Sequence, residues 1–158
     1  MKIDLENLDL TTTHCVFFIY YTFASYNNGK TQTTEVKKIM SYMENWDTSS
    51  SHVNSIMKET VLWASHIIKS PEEAISTMFS MADYLNTLEN FDISKKEQLL
   101  LDIRSVSRID GVFSEKEKKW HDLLAHHLST NIRVSSCSTQ DLETGLKKIE
   151  RRKIGFVR

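Results

Sequence analysis

Residues that break or cross-link a chain are scarce in this sequence. Its 158 residues contain one proline, four glycines and two cysteines. Because proline and glycine interrupt helices, their scarcity leaves long unbroken segments and favours an all-α fold. Cys15 and Cys137 form neither a metal-binding pair nor a disulfide framework, which fits a reducing cytoplasm, and we expect Cys15 to be buried as a small apolar residue.

A long apolar segment is missing as well. Residues 14–24 are almost entirely apolar, but this run is too short to span a bilayer. It also lacks the basic flank and the cleavage site of a signal peptide. We therefore expect a buried central helix here, and no transmembrane segment.

The charge is unevenly distributed along the chain. The formal net charge is −1, yet residues 147–158 carry six basic residues and one acidic residue, which leaves an acidic body. An acidic body repels phosphate backbones, so we expect no nucleic-acid partner. We divide the chain into a helical domain, residues 1–146, and a basic tail, residues 147–158. The tail suits a membrane surface or a protein groove, or is a frayed helix end.

Apolar periodicity and capping residues predict a compact bundle of about seven helices. Apolar residues recur at spacings of three and four, which places them on one face of each helix. Ser70 and Pro71 mark one helix start, and Ser94 and Glu97 have the spacing of a capping box. The predicted helices span approximately residues 12–26, 33–46, 53–69, 71–88, 94–109, 114–128 and 139–152, with a loop at 47–51.

A polar turn joins the fifth and sixth predicted helices. Asp110 and Gly111 end one helix, because glycine accepts the left-handed backbone found at helix ends. Ser114 and Glu117 form the S-x-x-E pattern of a capping box, which begins the next helix. Two carboxylates, those of Asp110 and Glu117, therefore lie near a helix N-terminus.

The same arrangement occurs 82 residues upstream. Asn28 and Glu35 stand at the positions of Asp110 and Glu117, again between an apolar helix and an amphipathic one. A repeated supersecondary unit usually means that two copies cover each other's apolar faces. Asparagine retains an oxygen for a cation but loses one charge, so the first turn is predicted to bind metal more weakly.

The helix, D-G-x-x-S-x-x-E, helix pattern resembles the TerB domain of tellurite resistance, which also occurs at the N-terminus of the co-chaperone DjlA. The resemblance covers residues 11–128 and departs at Asn28 and Gln32, which replace Asp and Ser. It implies two helix-turn-helix units and a binding or scaffold module in tellurite resistance or a related stress response. It also implies a protein partner in a membrane-associated or chaperone complex. The implied divalent cation, calcium or magnesium, would be bound by Asp110, Glu117, Asn28 and Glu35.

The residues alone leave a structural alternative open for these turns. Asp110 would close the turn and Glu117 would bind the backbone amide of Ser114, with no metal required. The alternating acidic ligands of an EF-hand are missing. The second functional hypothesis is therefore a metal-free protein-interaction module.

The histidines of the sixth helix suggest a third hypothesis, a helical metalloenzyme. Glu117 and His121 are four residues apart, as are Asp122 and His126, so each pair shares a helix face and has ligand types that suit zinc. The two pairs point to different faces, however, and a complete site needs a ligand from another helix. The alternative is a solvated face with a half-buried His127.

Other residues that carry functional groups favour ordinary structural roles. Glu59 and His66 share a face of the third helix, and we expect both to be surface groups rather than ligands. Trp46, Trp63 and Trp120 are expected in the core or at its edge. Because no signature of a nucleophilic or phosphate-binding site occurs, we predict that the chain is not an enzyme.

Overall fold

The computed structural model describes residues 10–25, 33–46, 49–108 and 114–134. These residues form six helices and no β-strand, which confirms the all-α class. The seventh predicted helix and the basic tail lie outside the described residues. The six helices are α1 (Thr12–Ser25), α2 (Thr33–Met43), α3 (Ser50–Ile67), α4 (Pro71–Asn86), α5 (Ile93–Ser107) and α6 (Glu115–His127).

The central helix of the bundle is α1. It packs against α2, α3, α4 and α5, and α6 packs against α4 and α5 on one side of the bundle. Every side chain from Cys15 to Tyr20 is buried, as predicted for a helix that is apolar on nearly every face. Burial also raises the pKa of the Cys15 thiol well above its usual range. Within the described part of the chain, no helix has the length and apolar character needed to cross a membrane.

Local capping signals place two helix starts correctly. The Ser70 side chain accepts a hydrogen bond from the Glu73 amide, and Pro71 occupies the first turn of α4. The predicted capping box begins α6. Both starts follow from side chains within four residues of the helix end, so packing elsewhere has little influence on them.

Two predicted helix starts are wrong by two or three residues. The cap of α5 is Asp92 rather than Ser94, and its carboxylate accepts the Lys95 amide hydrogen at 3.1 Å. Aspartate caps a helix as well as serine does, and the buried Phe91 beside it fixes where the chain enters the helix. The start of α3 is Ser50, because Ser49 accepts the His52 amide hydrogen at 3.3 Å.

A Schellman motif ends α6. The amide of Ser129 donates to the His126 carbonyl and the amide of Thr130 donates to the Ala125 carbonyl, each at 2.9 Å. Ser129 has a φ of 59°, in the left-handed region that usually requires glycine. The Cβ of Ser129 therefore strains the end of α6.

Ser129→Gly is expected to raise the free energy of unfolding by about 1 kcal/mol, because glycine removes this strain. Equilibrium urea unfolding measures the change. Ser129→Ala is the matched control, since it keeps the Cβ and loses the hydroxyl that accepts a hydrogen bond from Asn86. Equal stabilities of the glycine and alanine variants would contradict the assignment of strain.

Candidate functional site

The capping box at the start of α6 contains Glu117, one of the four predicted cation ligands. Ser114 Oγ accepts the Glu117 amide hydrogen at 3.2 Å. In return, Glu117 Oε1 accepts from the Ser114 amide at 3.3 Å and from the Ser114 hydroxyl at 3.0 Å. Only 3% of Glu117 is exposed. The carboxylate is thus engaged in starting the helix, as the structural alternative predicts.

The other three predicted cation ligands cannot be placed around Glu117. Asn28 and Asp110 lie outside the described residues, and the described part of Glu35 is its backbone in α2. The calcium or magnesium site therefore stays a prediction. Among the side chains that the structure describes, no three or more His, Cys, Asp or Glu residues form a group that could hold a metal ion.

His121 and Asp122 are fully buried, so the solvated face predicted for them is wrong. Asp122 Oδ1 lies 2.9 Å from His121 Nδ1 and accepts the Val134 amide hydrogen at 2.8 Å. Arg104 Nη1 of α5 donates to His121 Nε2 at 3.0 Å. Because arginine only donates, this bond assigns the imidazole proton to Nδ1, which donates to Asp122. We call these three side chains the Arg104–His121–Asp122 network.

The environment of this network keeps the imidazole neutral. Burial is the main cause that lowers the pKa of His121, the bond and charge of Asp122 act in the opposite direction, and Arg104 and Arg133 lower it further. The network joins α5 and α6 to the segment 130–134 that follows α6. Since its histidine and aspartate have no exposed surface, a metal or a substrate would reach them only if the helices separated. The geometry indicates a structural role.

The remaining histidines of α6 lie nearer the surface. His127 Nδ1 bonds to Asp83 Oδ1 of α4, and its ring lies 5.2 Å from that of Phe79. His127 is half-buried, as predicted, and the His126 ring meets it edge-on at 6.3 Å. The structure thus joins His121 to Asp122 within α6 and His127 to Asp83 of a different helix.

A hydrogen bond between a histidine of α1 and a glutamate of α3 was missed by the sequence analysis. Glu59 Oε2 lies 2.7 Å from His14 Nε2, whereas His66, its predicted neighbour, is exposed. His14 Nδ1 accepts the Thr11 amide hydrogen at 3.1 Å, so Nε2 carries the proton and donates to Glu59. The spacing of Thr11 and His14 resembles a capping box and was visible in the sequence, but the partner 45 residues away was not.

A second buried network, which we call the Tyr20–Asp102 network, was also missed. The Tyr20 hydroxyl donates to Asp102 Oδ2 at 2.7 Å and accepts from Trp46 Nε1 at 3.0 Å. Gln98 Nε2 donates to Asp102 Oδ1 at 2.8 Å. Burial raises the pKa of Asp102, which is 3% exposed, while hydrogen bonds from Tyr20, Gln98 and Asn45 act in the opposite direction. Burial also raises the pKa of Tyr20.

Fold and site together define an all-helical bundle whose core contains two networks of ionisable side chains. Both networks connect α5 to another helix, α1 in one case and α6 in the other. Comparison of the chain with family models, with curated proteins and with solved structures finds no match.

Proposed function

We propose that this chain is a cytoplasmic, TerB-like binding or scaffold module that acts in tellurite resistance or a related stress response through a protein partner. The observation that carries the proposal is the correspondence between two pairs of helices. Shifted by 82 residues, α1 would span 94–107 and α2 would span 115–125. These spans agree within two residues with α5 (Ile93–Ser107) and α6 (Glu115–His127).

One contact in the core supports packing of the two units about a rough twofold axis. Tyr20 of α1 and Asp102 of α5 are hydrogen-bonded and are themselves 82 residues apart. When two copies are related by a twofold axis, a residue that lies at the axis contacts the equivalent residue of the other copy. The Tyr20–Asp102 bond has this relation, although the two side chains differ.

The metal-free version of this module has the better support. Glu117 Oε1 already accepts hydrogen bonds from the amide and the hydroxyl of Ser114, and the residue is nearly buried. A capping box needs no cation to be stable. The version with calcium or magnesium at Asp110 and Glu117 rests on the resemblance alone.

Glu117→Gln separates the two versions, because glutamine keeps an oxygen that can accept from Ser114 but removes the charge. We expect this variant to lose less than about 1 kcal/mol of stability, and Glu117→Ala to lose about 1 kcal/mol. Titration of the wild type with calcium or magnesium, followed by amide NMR, should leave the signals of residues 114–118 unchanged. Shifts that appear in the wild type and vanish in Glu117→Gln would overturn the metal-free version.

The stress role needs a test in the source cell. Deletion of the gene is expected to reduce growth in tellurite, and re-expression of the wild type should restore it. A pull-down from the same cells tests for the protein partner. Recovery of the same partner with and without a chelator would support a metal-free module. Unchanged growth of the deletion strain in tellurite and under related stresses would contradict the proposed role.

A further inference from the structure

The outward face of α5 carries two of the three large apolar side chains that are exposed in the described part of the chain. Ile93 is 55% exposed and Leu101 is 50% exposed, whereas Leu62, the third, is 47% exposed and lies on α3. Ile93 and Leu101 are separated by about 80° around the helix axis. They lie opposite the buried residues of α5, which are Leu99, Leu100, Asp102, Ile103, Val106 and Ser107. Apolar residues that share an exposed face and are bordered by charges are typical of a contact surface.

The charged residues of this face are divided between its two ends. Glu97 is exposed and lies four residues from Ile93 and four from Leu101. Arg104 and Arg108 follow Leu101, and Arg108 is exposed. With 3.6 residues per turn, the three charged residues fall within about 40° of one another around the axis. The order along the outward face is therefore acidic, apolar and basic.

The basic end of this face contains two neighbouring like charges. Burial is the main cause that lowers the pKa of Arg104, and the charge of Arg108 lowers it further. Arg104 Nη1 donates to His121 Nε2, which is a neutral acceptor and leaves the guanidinium charge uncompensated. Glu97 forms no ion pair with the other residues that the structure describes. A carboxylate placed beside the two arginines would offset their repulsion.

We propose that two copies of this chain form a twofold-symmetric dimer through the outward faces of their α5 helices. A twofold axis that crosses α5 at right angles near Leu101 makes the two helices antiparallel, and each Leu101 contacts the Leu101 of the other copy. The same operation places residue 97 opposite residue 105. Glu97 of each copy then lies beside Arg104 and Arg108 of the other copy, and this contact forms twice.

Charge complementarity favours a second copy as the occupant of this face. In the antiparallel pair, the acidic end of each face meets the basic end of the other, so the surface is complementary to itself. A parallel pair would instead bring Glu97 to Glu97 and Arg108 to Arg108, which is repulsive. The formal net charge of −1 adds little repulsion between whole copies. The dimer depends on α5 alone and is independent of the proposed TerB-like role.

The expected association is weak, because a contact between two single helices is smaller than the interface of an obligate dimer. Sedimentation velocity of the full-length chain, at concentrations from about 10 μM to 1 mM, measures it. We expect a reversible equilibrium between monomer and dimer, with no larger species.

Leu101→Lys should weaken the dimer by about tenfold or more, because it removes the central apolar contact and brings two ammonium groups together. Leu62→Lys makes the same change at a leucine of similar exposure on α3. This control should leave the dissociation constant of the dimer unchanged.

Charge reversal tests the antiparallel arrangement. Glu97→Arg and Arg108→Glu should each weaken the dimer, Glu97→Arg by about tenfold or more, because each change replaces two attractions by two repulsions. An equimolar mixture of the two variants should associate more tightly than either variant alone, since positions 97 and 108 then carry opposite charges across the interface. Glu72→Arg, on the exposed start of α4, changes the net charge equally and should have no effect.

Several outcomes would overturn the proposal. A wild type that stays monomeric throughout the concentration series would contradict it, as would a dimer that Leu101→Lys and Leu62→Lys weaken equally. Species larger than a dimer would indicate head-to-tail contacts between different surfaces. A mixture of the charge variants that associates no better than either alone would contradict antiparallel pairing. If Leu101→Lys does not fold, as judged by amide NMR, the charge variants and their mixture give the same decision.

Discussion

Asp122→Ala is expected to lower the free energy of unfolding by about 3 kcal/mol, because two buried hydrogen-bond donors lose their acceptor. Asp122 accepts hydrogen bonds from His121 and from the Val134 amide. Alanine leaves both donors without an acceptor, and it leaves the buried imidazole facing Arg104 without a carboxylate. Urea unfolding measures the loss, and amide NMR reports whether the segment 130–134 detaches from α6.

Two controls separate burial from charge. Asp122→Asn keeps an oxygen that accepts from His121 or Val134, so its loss should be smaller than that of alanine. Asp83→Ala removes the half-exposed carboxylate that bonds to His127. We expect this variant to lose less than about 1 kcal/mol of stability. Equal losses from Asp122→Ala and Asp83→Ala would contradict the structural role assigned to the Arg104–His121–Asp122 network.

Tyr20→Phe is expected to lower the free energy of unfolding by about 2 kcal/mol, because the lost hydroxyl donates to a buried carboxylate. The same hydroxyl accepts the Trp46 indole hydrogen bond, so the change leaves two groups with one partner fewer. Tyr42→Phe is the matched control, since Tyr42 is only partly buried and packs edge-on against Tyr20. A similar loss from both variants would show that the hydroxyl bonds contribute little.

The pH dependence of stability tests the environment of Asp102. Its pKa in the folded chain is raised from the ordinary value of 3.8, so the folded state binds this proton more tightly than the unfolded state. The resulting contribution to stability is fully present below pH 3.8, the ordinary pKa of aspartate. It is lost as pH rises through the folded pKa.

Asp102→Asn is the reference for this measurement. The stability of the wild type relative to this variant should fall as pH rises above 3.8 and then level off. Tyr20→Phe should extend the fall to higher pH, because the Tyr20 hydrogen bond counteracts the rise in pKa. A wild type that gains stability over Asp102→Asn across this interval would contradict the raised pKa.

The predictions that the structure confirms depend on neighbouring residues. The start of α4 at Ser70 and Pro71 and the capping box of Ser114 and Glu117 involve side chains within one turn of each helix end. The predicted start of α5 was wrong because Asp92 and Ser94 are both residue types that cap helices well. Packing of Phe91 against the Trp46 ring at 5.6 Å decides between them.

The candidate site was predicted less completely than the helices. Glu117 belongs to the capping box of α6 and His127 is half-buried, as the sequence indicates. His121 and Asp122 were assigned to a solvated face because charged residues surround them in the sequence. The structure buries them because α6 packs against both α4 and α5, which covers more of its circumference than one apolar stripe predicts.

The sequence by itself determined the all-helical class, the buried central helix and most helix ends, since periodicity and capping act over a few residues. Only the tertiary structure decided the partners of His14, Tyr20 and His121, which lie 45, 82 and 17 residues away along the chain. Spacing along one helix shows which side chains share a face. Which polar group lies opposite that face depends on how the helices pack, because a buried hydrogen bond forms only where two surfaces meet.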